Sequence, residues 1–177
     1  MDPKTLHTLE YFKILERLAN YCAFAASADK ARALRPTANL EEAQLRLKQT
    51  TEAVQMLVTR PDLTIGGARD VRTQVDLAAH GGVLAPTDLL DLKSLLIAAR
   101  TLARTFERLG TQFPTLSEIA ARIPTAQGLV DSITRAISDR GEILDSASEK
   151  LNTIRRQLRI THDRLLSKLQ RMVADPK

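Results

Sequence analysis

Residues 146–173 read SASEKLNTIRRQLRITHDRLLSKLQRMV, and this stretch decides which kind of fold the chain can adopt. Its apolar residues recur every three or four positions, which is the period of an α-helix that buries one side. We predict a single helix over residues 148–173, about 39 Å long at about 1.5 Å per residue. The apolar stripe consists of Leu151, Ile154, Leu158, Leu165, Leu169 and Met172, widened by Leu166 and Val173. A stripe of this length predicts that helices pack on helices.

The same stretch carries the positive charge of the chain. The formal net charge is +5 and the pI is near 9.7. Residues 146–177 contain eight basic and three acidic side chains, while residues 1–60 and 61–145 nearly cancel at +2 and −2. A basic segment of this kind can bind nucleic acid, because each phosphate contact releases counterions. The alternative interpretation is a helix face that is only solvated. The candidate nucleic-acid-binding residues are Arg155, Arg156, Arg159, Arg164, Lys168 and Arg171.

Helix signals continue towards the N-terminus. Pro86 is suited to the first position of a long helix, and Gly110 is suited to its end. Asn39 is predicted to cap a helix that stops before Pro61, with Glu42 as its reciprocal partner. The apolar stripe of that helix is Leu40, Ala43, Leu47, Thr50, Val54, Leu57 and Val58.

Shorter signals complete the pattern. The spacing from Thr115 to Glu118 and from Ser146 to Glu149 predicts two more capping boxes. A turn is expected at residues 139–142, followed by a briefly extended pair at residues 143–144. No strand-type alternation is convincing elsewhere in the sequence. We therefore predict an all-α helical bundle with a long C-terminal helix and at most a very short β-hairpin.

The composition agrees with this class. The chain has 177 residues, no Trp, two Tyr and four Phe, so Leu, Ile, Val and Ala must fill the core. One cysteine, Cys22, excludes an internal disulfide framework and a multi-thiolate zinc site. No apolar run reaches the ~18–20 residues that span a membrane, and the first residues lack a signal-peptide layout. We expect a cytoplasmic protein that does not use a membrane.

The sequence gives no basis for catalysis by this chain. None of its seven glycines precedes the Lys-Ser or Lys-Thr pair of a phosphate-binding loop. The three histidines lie far apart and lack metal-ligand spacing. Asp88 and Asp91 lie three residues apart, but their position at the start of a helix favours electrostatic stabilisation over a metal site. We expect no catalytic residue, no cofactor and no metal in this chain.

Several segments together resemble the second bacterial MutS family, MutS-II. The most specific is DRGEILDSAS at residues 139–148, a turn just ahead of a long helix. Ala85 departs from the pattern, where a Ser is expected to cap the helix. The other matching segments are LEYFKILERL at 9–18, Pro36 with NLEEA at 39–43, TEA at 51–53, GARDVR at 67–72, and GGVL at 81–84 with Pro86.

The resemblance implies an architecture. Residues 1–145 would form the MutS-like helical core domain, and residues 146–177 the outgoing stem of the lever helix. The returning lever, the clamp, the dimerising ATPase domain and the C-terminal Smr nuclease module of this family have no counterpart here. The full-length parent would bind ATP and Mg and form a homodimer through its ATPase domain. Its implied partners are branched DNA, the ribosome and its rRNA, or both, in recombination suppression or in rescue of stalled ribosomes.

Three functions are therefore open. The first is a scaffold that couples the parent's ATPase dimer to its clamp, without catalysis by this chain. The second is a stand-alone basic helical module that binds nucleic acid through the six cations. The third is a helical adaptor that dimerises through the stripe of residues 151–172.

Overall fold

The computed structural model describes residues 2–63, 66–124 and 126–174. Within these ranges the chain is all-α, and its one β-bridge joins Ile137 to Ile143 in antiparallel fashion. The predicted class, with at most a very short hairpin, is confirmed. The described helices are α1 Pro3–Thr8, α2 Tyr11–Ala19, α3 Ala25–Arg32, α4 Leu40–Thr59, α5 Arg72–Ala79, α6 Pro86–Leu109, α7 Pro114–Ala120, α8 Gln127–Ala136 and α9 Glu149–Ala174, with one 3-10 turn at Asp145–Ala147.

The main core lies where α6 turns into α7. Helix α6 packs against α7 and α8, and α4 packs against α7. Phe106, Phe113 and Ala120 form the buried centre, and the side chain of Phe113 is only 1% exposed. Partly buried Leu102 and Leu116 close around them. We call α4 together with α6, α7 and α8 the body.

A smaller unit precedes the body. Helices α2 and α3 pack through the buried side chains of Leu15, Ala19 and Ala31. Arg32 fastens the pair by donating two hydrogen bonds of 2.9 Å to the Glu16 carboxylate. Glu10 adopts a left-handed φ of 51° and separates α1 from α2.

Two predicted helix starts are confirmed. The Asn39 Oδ1 accepts the Glu42 N–H at 3.1 Å, and α4 ends before Pro61 as expected. The reciprocal bond differs, because the Asn39 N–H donates to Thr37 Oγ1, which itself donates to the Glu42 carboxylate. Helix α6 begins at Pro86 and ends before Gly110, both as predicted.

Two predicted capping boxes are wrong. Thr115 lies inside α7, because Pro114 starts that helix one residue earlier. The Leu116 N–H lies in the first turn of α7, where it has no acceptor within the helix. It donates instead to the carboxylate of Glu52 on α4 at 3.0 Å. Ser146 lies in the 3-10 turn and donates its hydroxyl to the Arg135 carbonyl at 2.7 Å, so α9 starts only at Glu149.

The apolar stripe of α4 does not face the body. Leu40, Leu47 and Val54 are 70%, 67% and 56% exposed, while Glu52 on the other side is buried. Packing is thus made by the more polar side of α4, together with partly buried Met56. The periodicity predicted the helix correctly. The side that it indicated as the packing side is exposed, and the opposite side packs against the body.

Candidate nucleic-acid interface

The segment between α8 and α9 is a hydrogen-bonded elbow, which we define as residues 137–147. The Ser138 N–H donates to the Glu142 carbonyl at 2.8 Å, and the Leu144 N–H donates to the Ala136 carbonyl at 2.8 Å. Gly141 has a φ of +80°, a conformation that an L side chain rarely adopts. The predicted turn at residues 139–142 is therefore present, and it requires its glycine.

Ion pairs fasten the elbow on both sides. Lys93 on α6 lies 2.9 Å from the Asp139 carboxylate through its Nζ. Arg155 on α9 donates from Nη1 to the Ile143 carbonyl at 2.8 Å and to Asp145 Oδ1 at 2.7 Å. These contacts connect the elbow to α6 on one side and to α9 on the other.

Beyond the elbow, α9 is uncovered. Every residue from 152 to 174 is exposed, and we call this segment the stem. Its apolar stripe shares this exposure, with Leu158, Leu165 and Met172 at 68%, 55% and 63%. The stem does not fold back on the preceding helices within the described ranges.

Of the six candidate cations, the structure shows one already bonded within the chain and five that are not. Arg155 is committed to the elbow through Asp145 and the Ile143 carbonyl, so its guanidinium is not free for a phosphate. The other five form no hydrogen bond or ion pair with another described residue, and all are exposed: Arg156, Arg159, Arg164, Lys168 and Arg171. Their role in binding stays a prediction.

Three of the five free cations lie on the side of α9 opposite to its apolar stripe, and two lie at the edges of the stripe. At about 100° per residue, Arg156, Arg164 and Arg171 lie about 120–160° from the midline of the stripe. Arg159 and Lys168 lie closer, about 100° and 80° from that midline and on opposite edges. A row of cations about 22 Å long results, without a carboxylate bound to any of them in the described ranges.

Glu52 makes a buried structural contact between α4 and α7. Its carboxylate is buried and lies at the N-terminus of α7, where it meets the positive end of the helix dipole. Burial alone raises the pKa of Glu52, but the nearby polar groups of Thr115 and the hydrogen bond from the Leu116 N–H outweigh it and lower the pKa. No local spacing signals this contact, because residues 52 and 116 come together only in the fold.

The acidic residues considered for catalysis have structural roles. Asp88 accepts the Ala85 N–H at 2.9 Å and thus supports the start of α6. Asp91 lies 3.8 Å from Arg69. In the described ranges, no three His, Cys, Asp or Glu side chains converge on a metal position. The glycine turns also lack the Lys-Ser or Lys-Thr sequence of a phosphate-binding loop.

Among the residues that the structure describes, no helix is both long and apolar enough to cross a lipid bilayer.

Comparison with known proteins gives one consistent answer. No family profile matches the chain. A protein named Endonuclease MutS2 from Thermomicrobium roseum is 39% identical over 178 residues, covering 99% of this chain. Proteins of the same name from Bacillus cytotoxicus and a Geobacillus species are 36% and 34% identical over 97% and 98% of it. The chain spans about a fifth of the length of these relatives, 22% in each case.

Proposed function

We propose that this chain is the N-terminal core and lever stem of a MutS2-type (MutS-II) protein, the family that its sequence resembles and whose relatives align with nearly all of it. Its role is to hold the lever and to transmit movement to it. The observation that supports this proposal most is the elbow, which joins a packed body to a 26-residue helix that is exposed from residue 152 to its end. The division into a core of residues 1–145 and a stem of residues 146–177 stays a prediction, and residues 175–177 lie outside the described ranges.

The elbow is suited to transmitting movement because it is short and is held by ion pairs to the helices on both sides. Lys93 connects it to the N-terminal third of α6, and Arg155 connects it to the first turns of α9. A rotation of α6 therefore acts on the stem through two ion pairs and one antiparallel bridge. A helix of about 39 Å converts a small rotation at its base into a larger displacement at its tip.

We further propose that the free cations of the stem contact nucleic acid. Each phosphate contact releases counterions, so binding energy arises without base-specific groups. The chain would then contribute target capture in addition to mechanics. Branched DNA and ribosomal RNA both present the phosphates that this surface suits.

The remaining activities belong, in this proposal, to the part of the parent outside the chain. They are ATP and Mg binding, homodimerisation through an ATPase domain, and endonuclease activity of a Smr module. Recombination suppression and rescue of stalled ribosomes are the processes in which the parent would act. The chain itself would not catalyse a reaction.

A salt-titrated binding assay tests the nucleic-acid proposal. Residues 1–177 are titrated with branched DNA, linear duplex and purified ribosomes, alongside the triple variant R156A/R164A/R171A. We expect affinity to fall steeply with salt, and the triple variant to lower the slope of log K against log salt by about 3, one per lost contact.

A matched control removes the same charge elsewhere. The variant R104A/R108A/R122A takes three exposed arginines from the body and is expected to keep the wild-type slope. Equal slopes for the wild type and the stem variant contradict the proposal. The three targets, compared at one salt concentration, identify which one the stem prefers.

A further inference from the structure

A groove lies among the first three helices, α1, α2 and α3, which we call the N-terminal unit. Its volume is about 530 Å³, within the roughly 300–1,000 Å³ of typical ligand pockets. Leu15 in its lining is buried, whereas Phe12 is 53% exposed and therefore offers its ring to a ligand. The apolar part of the lining consists of Pro3, Leu6, Tyr11, Phe12 and Leu15.

The corner between α1 and α2 has an unusual backbone conformation. Glu10 lies in the left-handed region, with φ 51° and ψ 32°, which a residue with a side chain adopts at a cost. Its N–H donates to the His7 carbonyl at 3.0 Å, and its carboxylate lies 2.6 Å from Lys13 Nζ. Helix α1 therefore leaves the line of α2, and both helices contribute to the groove. Residues in such conformations cluster at functional sites.

The charged part of the lining contains one uncommitted cation. Glu16 and Arg32 neutralise each other through two hydrogen bonds of 2.9 Å. Arg35 forms no ion pair with another described residue, and its Nη1 donates to the Leu34 carbonyl at 2.9 Å. The backbone that carries it is held in place, because Arg46 on α4 donates to the Arg35 carbonyl at 2.9 Å.

This combination selects among possible ligands. A mainly apolar lining with one available guanidinium matches one large apolar side chain beside one carboxylate. It matches a nucleic acid less well, since a strand brings several phosphates and binds by neutralising them with several cations. The Glu16 carboxylate in the lining also disfavours a polyanion.

The groove is complete within the N-terminal unit. Its lining residues all fall between Pro3 and Arg35, so later segments are not needed to form it. In the described ranges, the unit has polar contacts with later helices through the exposed pair of Asp29 with Arg72 and through the Arg46 bond. A preformed groove of this size binds a short linear segment without reorganisation, which favours affinity.

We propose that the groove binds a short acidic segment of a separate protein, in which Trp, Phe or Leu lies next to Asp or Glu. The apolar side chain packs against Leu6 and Phe12, and the carboxylate pairs with Arg35. This interaction goes beyond the core-and-stem role proposed above and uses no residue of the stem.

Two short peptides test the chemistry of the segment. Each contains one Trp, flanked by Glu in one peptide and by Lys in the other. The chain has no Trp, so the fluorescence of the peptide reports binding to residues 1–177 directly. We expect the Glu peptide to bind at least about tenfold more tightly at low salt, with a smaller preference at high salt as screening increases.

Paired variants test the two parts of the groove. Arg35→Gln is expected to abolish the preference for the Glu peptide, and Arg17→Gln, an exposed cation of α2 outside the lining, is expected to keep it. Phe12→Ala is expected to weaken binding of the Glu peptide about tenfold, whereas Ile14→Ala, 59% exposed on the same helix, is expected to leave it within about twofold. Circular dichroism verifies that each variant keeps its helical content.

Four results overturn the proposal. One is equal binding of the two peptides, and another is an effect of Arg17→Gln as large as that of Arg35→Gln. A third is binding by residues 1–177 that is lost in the full-length MutS2-type parent, because the groove is then filled by the same polypeptide. The fourth is displacement of the Glu peptide from the R156A/R164A/R171A variant by a single-stranded oligonucleotide, which identifies a nucleic-acid site. None of these results affects the proposed phosphate contact of the stem, which is measured without peptide.

Discussion

The body and the stem are both amphipathic helices, but apolar side chains are buried in the core of the body and exposed along the stem. In the body, Phe113 is 1% exposed and is enclosed by side chains from α6 and α7. In the stem, Leu158 is 68% exposed, although it lies on an equally regular apolar stripe. The difference shows that periodicity measures the need of a helix for a partner, not the presence of one. Within the described part of the chain, the core at α6 and α7 satisfies that need, while the apolar stripes of α4 and of the stem do not.

The largest expected effect is the difference in stability between shortening an apolar side chain in the body and shortening one in the stem. Phe113→Ala removes the most buried side chain of the core and is expected to cost about 3–5 kcal/mol of unfolding free energy. Leu158→Ala removes an exposed side chain and is expected to change it by less than about 0.5 kcal/mol. Urea denaturation of both variants measures the contrast. A loss above about 2 kcal/mol for Leu158→Ala would show that the stem is packed.

A smaller effect is expected inside the body at Glu52. Glu52→Ala leaves the Leu116 N–H at the start of α7 without its acceptor and is expected to cost about 1–3 kcal/mol at pH 7. Glu41→Ala, at an exposed position of the same helix, is the control.

The same carboxylate makes part of the stability depend on pH. The pKa of Glu52 is lowered in the fold, so its contribution is present above its ordinary value of 4.5 and is lost as the pH falls through the lowered pKa. Urea midpoints of wild type and Glu52→Ala, compared from pH 7 to pH 3, are expected to converge at the acid end. A constant difference across this range contradicts the account.

At the elbow, the expected effect is local. Asp145→Asn weakens the ion pair with Arg155, which ties the first turns of α9 to the elbow. We expect tryptic cleavage after Arg155 or Arg156 to accelerate roughly three-fold, with little change in global unfolding. Asp131→Asn on α8 is the exposed control. No acceleration, or an equal one in the control, means that the elbow does not hold the stem.

The smallest effect is expected where the N-terminal unit meets α5. Arg72 lies 2.8 Å from Asp29 on α3 and also pairs with Asp70, and this guanidinium lowers the pKa of Asp70. The side chains are largely exposed, so solvent screens the pairs. Arg72→Gln is expected to shift the thermal midpoint by less than about 2 °C, and the shift is expected to vanish in 1 M salt. A larger shift that survives in salt argues for a packing role.

Signals confined to one helix or turn were predictable from the sequence. Pro86, the Asn39 cap and the turn at residues 139–142 each act within a few residues, so local chemistry determined them. The capping roles assigned to Thr115 and Ser146 were wrong, because Glu52 and the Arg135 carbonyl come from elsewhere in the fold. Long-range contacts of this kind leave no spacing in the sequence.

The candidate site shows the same division. The six cations of residues 155–171 were found by composition alone, since a cluster of basic residues needs no tertiary knowledge. That Arg155 is held by Asp145 and the Ile143 carbonyl was not predictable, because the elbow that brings them together is itself a product of the fold. The relatives confirm the family resemblance, while the binding role of the cations stays a prediction.

The most direct test of the contrast between body and stem is residue-resolved hydrogen exchange on residues 1–177 alone. Exchange protection reports how much structure must open at each amide. The account predicts that amides of α6 and α8 exchange only through global unfolding, while stem amides beyond Arg156 exchange at least about 100-fold faster. Stem amides protected as strongly as those of α6, at every protein concentration, would contradict it, because the stem would then already have its partner within this chain.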